Sequence, residues 1–192
     1  MKRVFIVHGW SGSPEEGWFP WLKNKLEEKG FEVFVPAMPN PDVPTIDAWV
    51  SCLRDAVGVP DEETYFVGHS IGCQTIMRYL ASLPQDIKVG GVIFVAPWFT
   101  LMNLSSKEES GIAKPWLETP IDLEKVKSHS SFFITFFSDD DPVVPLDNQE
   151  LFKQNLNAEV FVEHEKGHLG GDDHITEFPT LLDKLLAVIQ KS

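Results

Sequence analysis

A serine with small neighbours is the first candidate for covalent chemistry in this chain of 192 residues. Residues 68–72 read Gly-His-Ser-Ile-Gly and match the pattern G-x-S-x-G, which places a serine on a sharp turn between a strand and a helix. The apolar segments 64–67 and 71–83 on either side are a predicted strand and a predicted helix. Such a turn exposes the hydroxyl above a sheet, so Ser70 is a candidate nucleophile. It also directs the backbone N–H of Ile71, at a helix N-terminus, toward the place where an oxyanion would form.

A base and an acid must accompany such a serine, because its hydroxyl is a weak nucleophile at its ordinary pKa. His168 is the candidate base, since it follows Gly167 shortly after the last predicted strand. Three carboxylates at 139–141 follow the fifth predicted strand; we expect one to orient the histidine and the others to cap a turn. Serine, aspartate and histidine in this chain order are typical of α/β-hydrolases.

The turn after the first predicted strand is the candidate for the second half of an oxyanion site. It reads His8-Gly9-Trp10, and a His-Gly turn at this point supplies an N–H to the oxyanion from the residue after the glycine. We therefore predict that the backbone N–H of Trp10 acts together with that of Ile71. His8 is a candidate contact for the substrate, or else a structural hydrogen-bonding group within the turn.

A metal site is the competing interpretation of the histidine loop. Residues 164–168 spell His-Glu-Lys-Gly-His, a literal H-E-x-x-H, in which two histidines on one helical face bind zinc. Here the preceding segment reads as a strand, and Gly167 inside the motif disfavours a helix. The sequence therefore favours a serine enzyme without a metal ion or other cofactor.

Strands and helices alternate along the whole chain and must position these residues. The strands are short continuous apolar runs, which are typical of a parallel sheet covered by helices on both faces. We predict the α/β class, with an α/β-hydrolase fold in three α/β/α layers around a mainly parallel sheet of six strands. The predicted strands are 3–7, 31–35, 64–67, 91–95, 132–137 and, more weakly, 158–163; the predicted helices are 18–29, 45–56, 71–83, 147–155 and 175–189.

Residues 97–127 interrupt this alternation and are rich in apolar side chains, with no strand and no clear helical period. A loop of this length in a compact domain is usually functional or disordered, and its aromatic content argues against disorder. We predict a small cap-like insertion, with Trp98 and Trp116 as candidate contacts for an apolar part of the substrate. An ordinary connecting helix with irregular flanks is the equally open alternative.

Charge and cysteine content exclude several classes of partner. Sixteen Lys and Arg stand against 29 Asp and Glu, which gives a net charge of −13. Nucleic acids and anionic membranes are bound largely through cationic side chains, so neither is an expected partner. Two cysteines do not make a disulfide framework, and no apolar run approaches the length of a membrane span or a signal peptide. We expect a cytoplasmic protein.

Further motifs give the chain a family resemblance. Residues 18–22 (Trp-Phe-Pro-Trp-Leu), 38–41 (Met-Pro-Asn-Pro) and 47–49 (Asp-Ala-Trp), together with the serine turn, resemble the small serine hydrolase family of α/β-hydrolases. The resemblance implies a compact fold, a Ser-Asp-His triad and hydrolysis of esters. Because Asp141-Pro-Val-Val-Pro resembles the strand-ending D-x-V-V-P pattern of α/β-hydrolases, it implies a triad of Ser70, Asp141 and His168. The third aspartate in the run leaves Asp140 as the alternative acid.

The sequence therefore predicts one α/β-hydrolase domain over residues 1–192, acting as a serine hydrolase on small carboxylic esters through an acyl-enzyme intermediate. Amides and thioesters are open alternatives, and no protein partner is indicated. The competing hypothesis from another class is a non-catalytic binding or scaffold protein that retains the fold. The complete set of serine, acid and histidine argues against it.

Overall fold

The computed structural model describes residues 1–191 and contains a six-stranded sheet in which every neighbouring pair of strands is parallel. The predicted α/β class and the predicted three-layer fold are confirmed. The strands lie in the order β2-β1-β3-β4-β5-β6. Their bounds are β1 Arg3–Val7, β2 Glu32–Phe34, β3 Thr64–His69, β4 Gly91–Val95, β5 Phe133–Ser138 and β6 Glu159–Glu163.

Helices cover both faces of the sheet, because successive strand residues point to opposite sides. Val4 and Ile6 pack on the face covered by α1 and α7, whereas Phe5 and Val7 pack on the face covered by the other helices. All four side chains are fully buried. The helices in residues 1–191 are α1 Phe19–Glu27, α2 Ile46–Val57, α3 Ile71–Ser82, α4 Lys107–Glu118, α5 Leu123–Ser128, α6 Asn148–Leu156 and α7 Pro179–Ile189.

The strand order creates a crevice between β1 and β3. The chain passes from β1 outward to β2 and then returns to the other side of β1 to form β3. In open parallel sheets the connections diverge at such a point, and ligands bind at the carboxyl ends of the strands there. The turn at 8–12 follows β1 and the turn at 68–72 joins β3 to α3, so both candidate oxyanion turns lie at this crevice.

The segment 97–127 contains α4 and all but the last residue of α5, so it has the helical content of the second of its two predicted forms, a connecting helix with irregular flanks. Only Ala113 and Trp116 of α4 are buried, and the helix includes Gly111 and Pro115, two residues that are unfavourable inside a helix, so its sequence has little apolar periodicity. Its start does carry a local signal. The Ser106 side chain accepts a hydrogen bond from the Glu109 N–H, as expected for a Ser-x-x-Glu N-terminus.

Helix α7 begins at Pro179, four residues later than predicted. Proline suits the first turn of a helix but disfavours helical backbone in the residue before it, and Phe178 has φ −139° and ψ 74°. Residues 175–178 therefore form an irregular lead into the helix. None of the helices within residues 1–191 combines the length and apolarity that crossing a membrane requires.

Candidate active site

Ser70 occupies a strained turn between β3 and α3. Its backbone has φ 52° and ψ −118°, outside the regions that non-glycine residues normally adopt, and its N–H donates to the Val95 carbonyl at 2.9 Å. Helix α3 then packs directly on β1. A Cβ on Gly72 would overlap the Val7 carbonyl oxygen, and one on Gly68 would lie 2.8 Å from Ile76 Cδ1. The two glycines of the motif are thus required by close packing around the serine.

His168 links the serine to one carboxylate. Its Nε2 lies 2.9 Å from Ser70 Oγ, and its Nδ1 lies 2.8 Å from Asp141 Oδ2. Because a carboxylate only accepts hydrogen bonds, the ring proton is on Nδ1, which leaves Nε2 free to accept the serine proton. The other oxygen of Asp141 accepts the N–H groups of Val143 and Val144 at 2.8 and 2.9 Å. These bonds fix the rotation of a carboxyl group that is almost fully buried.

The other two aspartates of the run bind the histidine loop instead of the histidine. Asp140 accepts the Gly167 N–H at 2.8 Å. Asp139 accepts the Glu165 N–H at 2.9 Å and contacts His164 Nδ1 at 2.6 Å, and these bonds lower the pKa of its carboxyl. The structure thus brings Asp141, and not the alternative Asp140, to His168. The whole run serves the same loop, since its first two members hold the backbone that carries His168.

The histidine pair of the H-E-x-x-H sequence does not lie on a helical face. Residues 164–168 form an irregular loop after β6, with positive φ at Glu165 and Gly167. His164 and His168 contact different carboxylates. Over residues 1–191 no group of three or more His, Cys, Asp or Glu side chains is placed to hold a metal ion.

The two residues that are predicted to bind an oxyanion lie at the same cavity as the serine. Trp10 and Ile71 both line the cavity that contains Ser70 and His168. Ile71 is the first residue of α3, so its N–H has no acceptor within the helix. Among the described residues neither N–H donates to a backbone carbonyl outside the regular elements. Two free donors at one edge of a crevice can hold an oxyanion.

His8 is buried beneath this turn and does not reach the cavity. Its Nδ1 lies 2.8 Å from the Gly9 carbonyl oxygen, and its Nε2 accepts the Met38 N–H at 3.0 Å. Both ring nitrogens are therefore used by the backbone, and burial lowers the pKa of the ring. Of its two predicted roles, substrate contact and structural hydrogen bonding, His8 has the second. Its hydrogen bonds fix the Gly9-Trp10 turn.

The cavity around Ser70 has a volume of about 730 Å³, which is ample for a small ester. The insertion contributes Trp98 to its lining, but Trp116 lies elsewhere. The Trp116 ring packs edge-on against Trp49, and its indole N–H donates to the Pro44 carbonyl at 3.1 Å. The structure thus brings one of the two predicted tryptophans to the site and places the other in the core. The apolar part of the lining consists of Trp10, Ile71, Trp98, Leu101, Leu104, Ile112, Pro142 and Val143.

The charged part of the lining is entirely acidic. No Lys or Arg of the described chain lines the cavity. None of its carboxylates has a lysine or arginine nitrogen within 4.0 Å in residues 1–191. Burial raises the pKa of the Glu16 carboxyl, and the charge of Asp172 raises it further. The carboxylates that line the cavity are Glu16, Asp42, Glu108, Glu109, Asp172 and Asp173.

His69 holds the backbone of His168, a role that the sequence reading did not assign. Its Nε2 lies 2.9 Å from the His168 carbonyl oxygen, so this nitrogen carries the proton and donates. Burial, and then the neighbouring His168 ring, lower the pKa of His69 to about 3. Trp18 completes the support, because its indole N–H donates to the Leu169 carbonyl at 2.9 Å. A histidine next to the serine was the only sequence signal for this support.

Comparison with known proteins gives a consistent family relationship. The family model described as serine hydrolase matches residues 4–187. The YdeN protein of Bacillus subtilis (strain 168) is 30% identical over 191 residues, which cover 99% of this chain and 97% of that protein. The serine hydrolase RBBP9 of Rattus norvegicus is 28% identical over 184 residues, which cover 94% and 91%.

Solved structures agree with this relationship. The crystal structure of the B. subtilis ydeN gene product has a TM-score of 0.91 at 29% identity and covers 99% of this chain and 100% of that one. Est1E from Butyrivibrio proteoclasticus has a TM-score of 0.74 at 20% identity and covers 98% and 88%. The latter likeness concerns the fold alone.

Proposed function

Because this chain belongs to the serine hydrolase family, we propose that it hydrolyses small carboxylic esters, with Ser70 as the nucleophile, His168 as the base and Asp141 as the orienting acid. The observation that carries the proposal is the continuous contact from Ser70 Oγ through His168 to Asp141 Oδ2, at 2.9 and 2.8 Å, on the wall of a large cavity. Nucleophile, base and orienting group within hydrogen-bond reach are the arrangement that covalent catalysis by serine requires.

Acylation follows from this geometry. His168 Nε2 takes the hydroxyl proton while Ser70 Oγ forms a bond to the ester carbonyl carbon. The carbonyl oxygen becomes an oxyanion and accepts hydrogen bonds from the N–H groups of Trp10 and Ile71. When the tetrahedral intermediate collapses, the bond to the alcohol oxygen breaks and His168 gives that oxygen its proton. Asp141 stabilises the imidazolium that exists between these two transfers.

Deacylation repeats the steps with water as the nucleophile. His168 takes a proton from the water, whose oxygen bonds to the acyl carbon, and then returns the proton to Ser70 Oγ as the carboxylic acid leaves. Asp141 keeps the ring proton on Nδ1 throughout, because its carboxylate is fixed by two backbone N–H groups. No cofactor enters this sequence of steps.

The cavity lining favours neutral or cationic substrates with an apolar acyl group. The alcohol oxygen must lie beside His168 Nε2 to receive its proton, so the alcohol faces the loop that continues to Asp172 and Asp173. The acyl group then lies toward the apolar residues of 98–112, which we propose to act as the cap. Uncompensated carboxylates raise the local concentration of cations and repel anions.

We also propose a cytoplasmic location for the protein. The two free cysteines, Cys52 and Cys73, are compatible with this location, because a reducing compartment keeps thiols unpaired.

The test is turnover of p-nitrophenyl butyrate together with labelling by a fluorophosphonate. Ser70→Ala is expected to lose both, whereas Ser51→Ala, a matched change at an exposed position of α2, should retain both. Wild-type protein that is neither labelled nor active would favour the scaffold alternative. Activity that survives in Ser70→Ala, or that is abolished by a chelator, would overturn the assignment of the nucleophile.

A further inference from the structure

Helix α3, which follows the nucleophile, holds the insertion through hydrogen bonds from two buried polar side chains. Gln74 lies one turn after Ser70 on α3, and its Nε2 donates to the Trp98 carbonyl at 2.7 Å. Arg78, one turn further on, donates to Gln74 Oε1 at 3.3 Å and to the carbonyls of Trp116 and Thr119 at 2.9 and 2.8 Å. Both side chains are more than nine-tenths buried. The nucleophile helix is thus bonded to both ends of the segment 98–119.

Asn148 holds the same segment from the other side. This fully buried residue begins α6, shortly after the turn that carries the candidate acid. Its Oδ1 accepts the N–H groups of Phe99 and Thr100 at 2.7 and 3.1 Å, and its Nδ2 donates to the carbonyls of Thr100 and Pro145 at 3.1 and 2.9 Å. One amide therefore connects the start of the insertion to the end of the acid turn.

Two more bonds extend this connection toward the solvent. The Met102 N–H donates to the Val143 carbonyl at 2.9 Å, and Asn103 Nδ2 donates to the Pro142 carbonyl at 2.9 Å. Residues 98–103 are consequently bonded along their length to α3 and to the turn at 141–145. Moving them as a lid would leave buried donors and acceptors without partners, which costs more than the bonds themselves are worth.

We propose that Gln74 and Asn148 are positioning residues that fix 98–103 as a rigid wall of the cavity, and that this wall limits the length of the acyl group. The inference rests on the proposed function, since it concerns the acyl side of the same cavity. Trp98 and Leu101 both line that cavity, so displacement of their backbone enlarges it on the acyl side. Neither positioning residue touches the reacting atoms.

The test compares chain-length preference in two variants and their matched controls. Gln74→Met removes the bond to Trp98 with little change of shape, and Asn148→Asp keeps the acceptor for Phe99 but removes both donated bonds. The controls Gln154→Met and Asn155→Asp lie on the outer side of α6. The readout is kcat/KM for p-nitrophenyl acetate, butyrate and hexanoate. This ratio between substrates does not depend on the fraction of folded protein, so a merely structural role would not move it.

We expect the hexanoate-to-acetate ratio to rise about fivefold or more in both variants, through a lower KM for hexanoate, with the ratio unchanged in the controls. A ratio within about twofold of the wild type in either variant would overturn the proposal.

Hydrogen exchange of the wild-type protein tests the same proposal if the variants do not fold. The amides of Phe99, Thr100 and Met102 should exchange as slowly as those of β4, and rapid exchange would contradict a rigid wall. Because exchange needs no substrate, its outcome is separate from that of the proposed ester hydrolysis.

Discussion

Asp141→Asn isolates the role of the acid, because the structure dictates how the new amide must sit. Oδ1 of Asp141 accepts two backbone N–H groups, from Val143 and Val144, and an amide nitrogen cannot accept them. The amide oxygen of the variant therefore stays on these donors, and its NH₂ group faces His168 Nδ1. To avoid opposing two donors, the imidazole moves its proton to Nε2. That N–H then points at Ser70 Oγ, so the ring cannot accept the serine proton.

The expected loss in kcat is about 10⁴-fold, as for other serine enzymes held in the wrong histidine tautomer. At about 1.4 kcal/mol for each factor of ten, this is a loss of roughly 5–6 kcal/mol of transition-state stabilisation. The protein should remain folded, because both backbone bonds to the side chain survive. The assay is kcat with p-nitrophenyl butyrate, corrected by thermal unfolding and by the fraction of serine that fluorophosphonate labels after prolonged exposure.

Asp140→Asn is the matched control. Its Oδ1 accepts the Ser138 hydroxyl and the Gly167 N–H at 2.7 and 2.8 Å, and an amide oxygen can accept both bonds. We expect kcat within about threefold of the wild type. The reasoning is refuted if Asp141→Asn keeps more than about a tenth of the activity, or if Asp140→Asn loses as much as Asp141→Asn.

Three other predictions concern packing, pH and charge. Gly72→Ala should lower the free energy of unfolding by about 1–3 kcal/mol, because the new Cβ would meet the backbone of β1 at Val7. Gly111→Ala, at a position of α4 with open space around it, should raise the free energy of unfolding. Equal shifts in Tm for the two variants would contradict this reasoning. Burial lowers the pKa of His69 from 6.5 to about 3, so the unfolded chain binds the extra proton first and stability falls as pH drops below 6.5. At pH 5 the free energy of unfolding should be lower by about 2 kcal/mol than at pH 7. Denaturant unfolding at the two pH values should show a smaller difference in His69→Gln. The exposed control His174→Gln should keep the full difference. Acetylcholine should be hydrolysed with a higher kcat/KM than its neutral isostere 3,3-dimethylbutyl acetate, because the cavity lining is acidic. The ratio of the two kcat/KM values should fall when salt is added. A ratio at or below one, or one that does not depend on salt, would argue against selection of cations by the cavity.

Local patterns were sufficient for most of the fold. The bounds of β1 and β4 agree with the predicted 3–7 and 91–95, because continuous apolar runs ended by polar or glycine residues are read directly from the chain. The insertion was harder, since α4 buries only Ala113 and Trp116 and therefore lacks the periodicity that identifies a helix. Its helical state depends on a cap at Ser106 and on packing against the rest of the protein.

The candidate site divides in the same way. Ser70, His168 and the aspartate run 139–141 could be named from the sequence, because the type of residue at a strand end and the small residues around it are local features. The preference for Asp141 within that run came from the family resemblance. The sequence could not show that His8 and Trp116 use their polar atoms within the fold. Their residue types made both plausible substrate contacts. In the structure they instead form hydrogen bonds with backbone groups that are distant in sequence, at Met38 and Pro44, and they do not line the cavity.

The sequence by itself determined the six strands along the chain, five of the seven helices that the described residues form, and which polar residues stand at the strand ends, since these depend on neighbours a few positions away. Only the tertiary structure decided which carboxylate of 139–141 faces the histidine and which side chains support it. The contacts concerned join residues 27, 98 and 99 positions apart, from Asp141 to His168, Ser70 to His168 and His69 to His168. Their geometry is set by how closely the loops and α3 pack on the sheet, and differences of an ångström there separate a hydrogen bond from none.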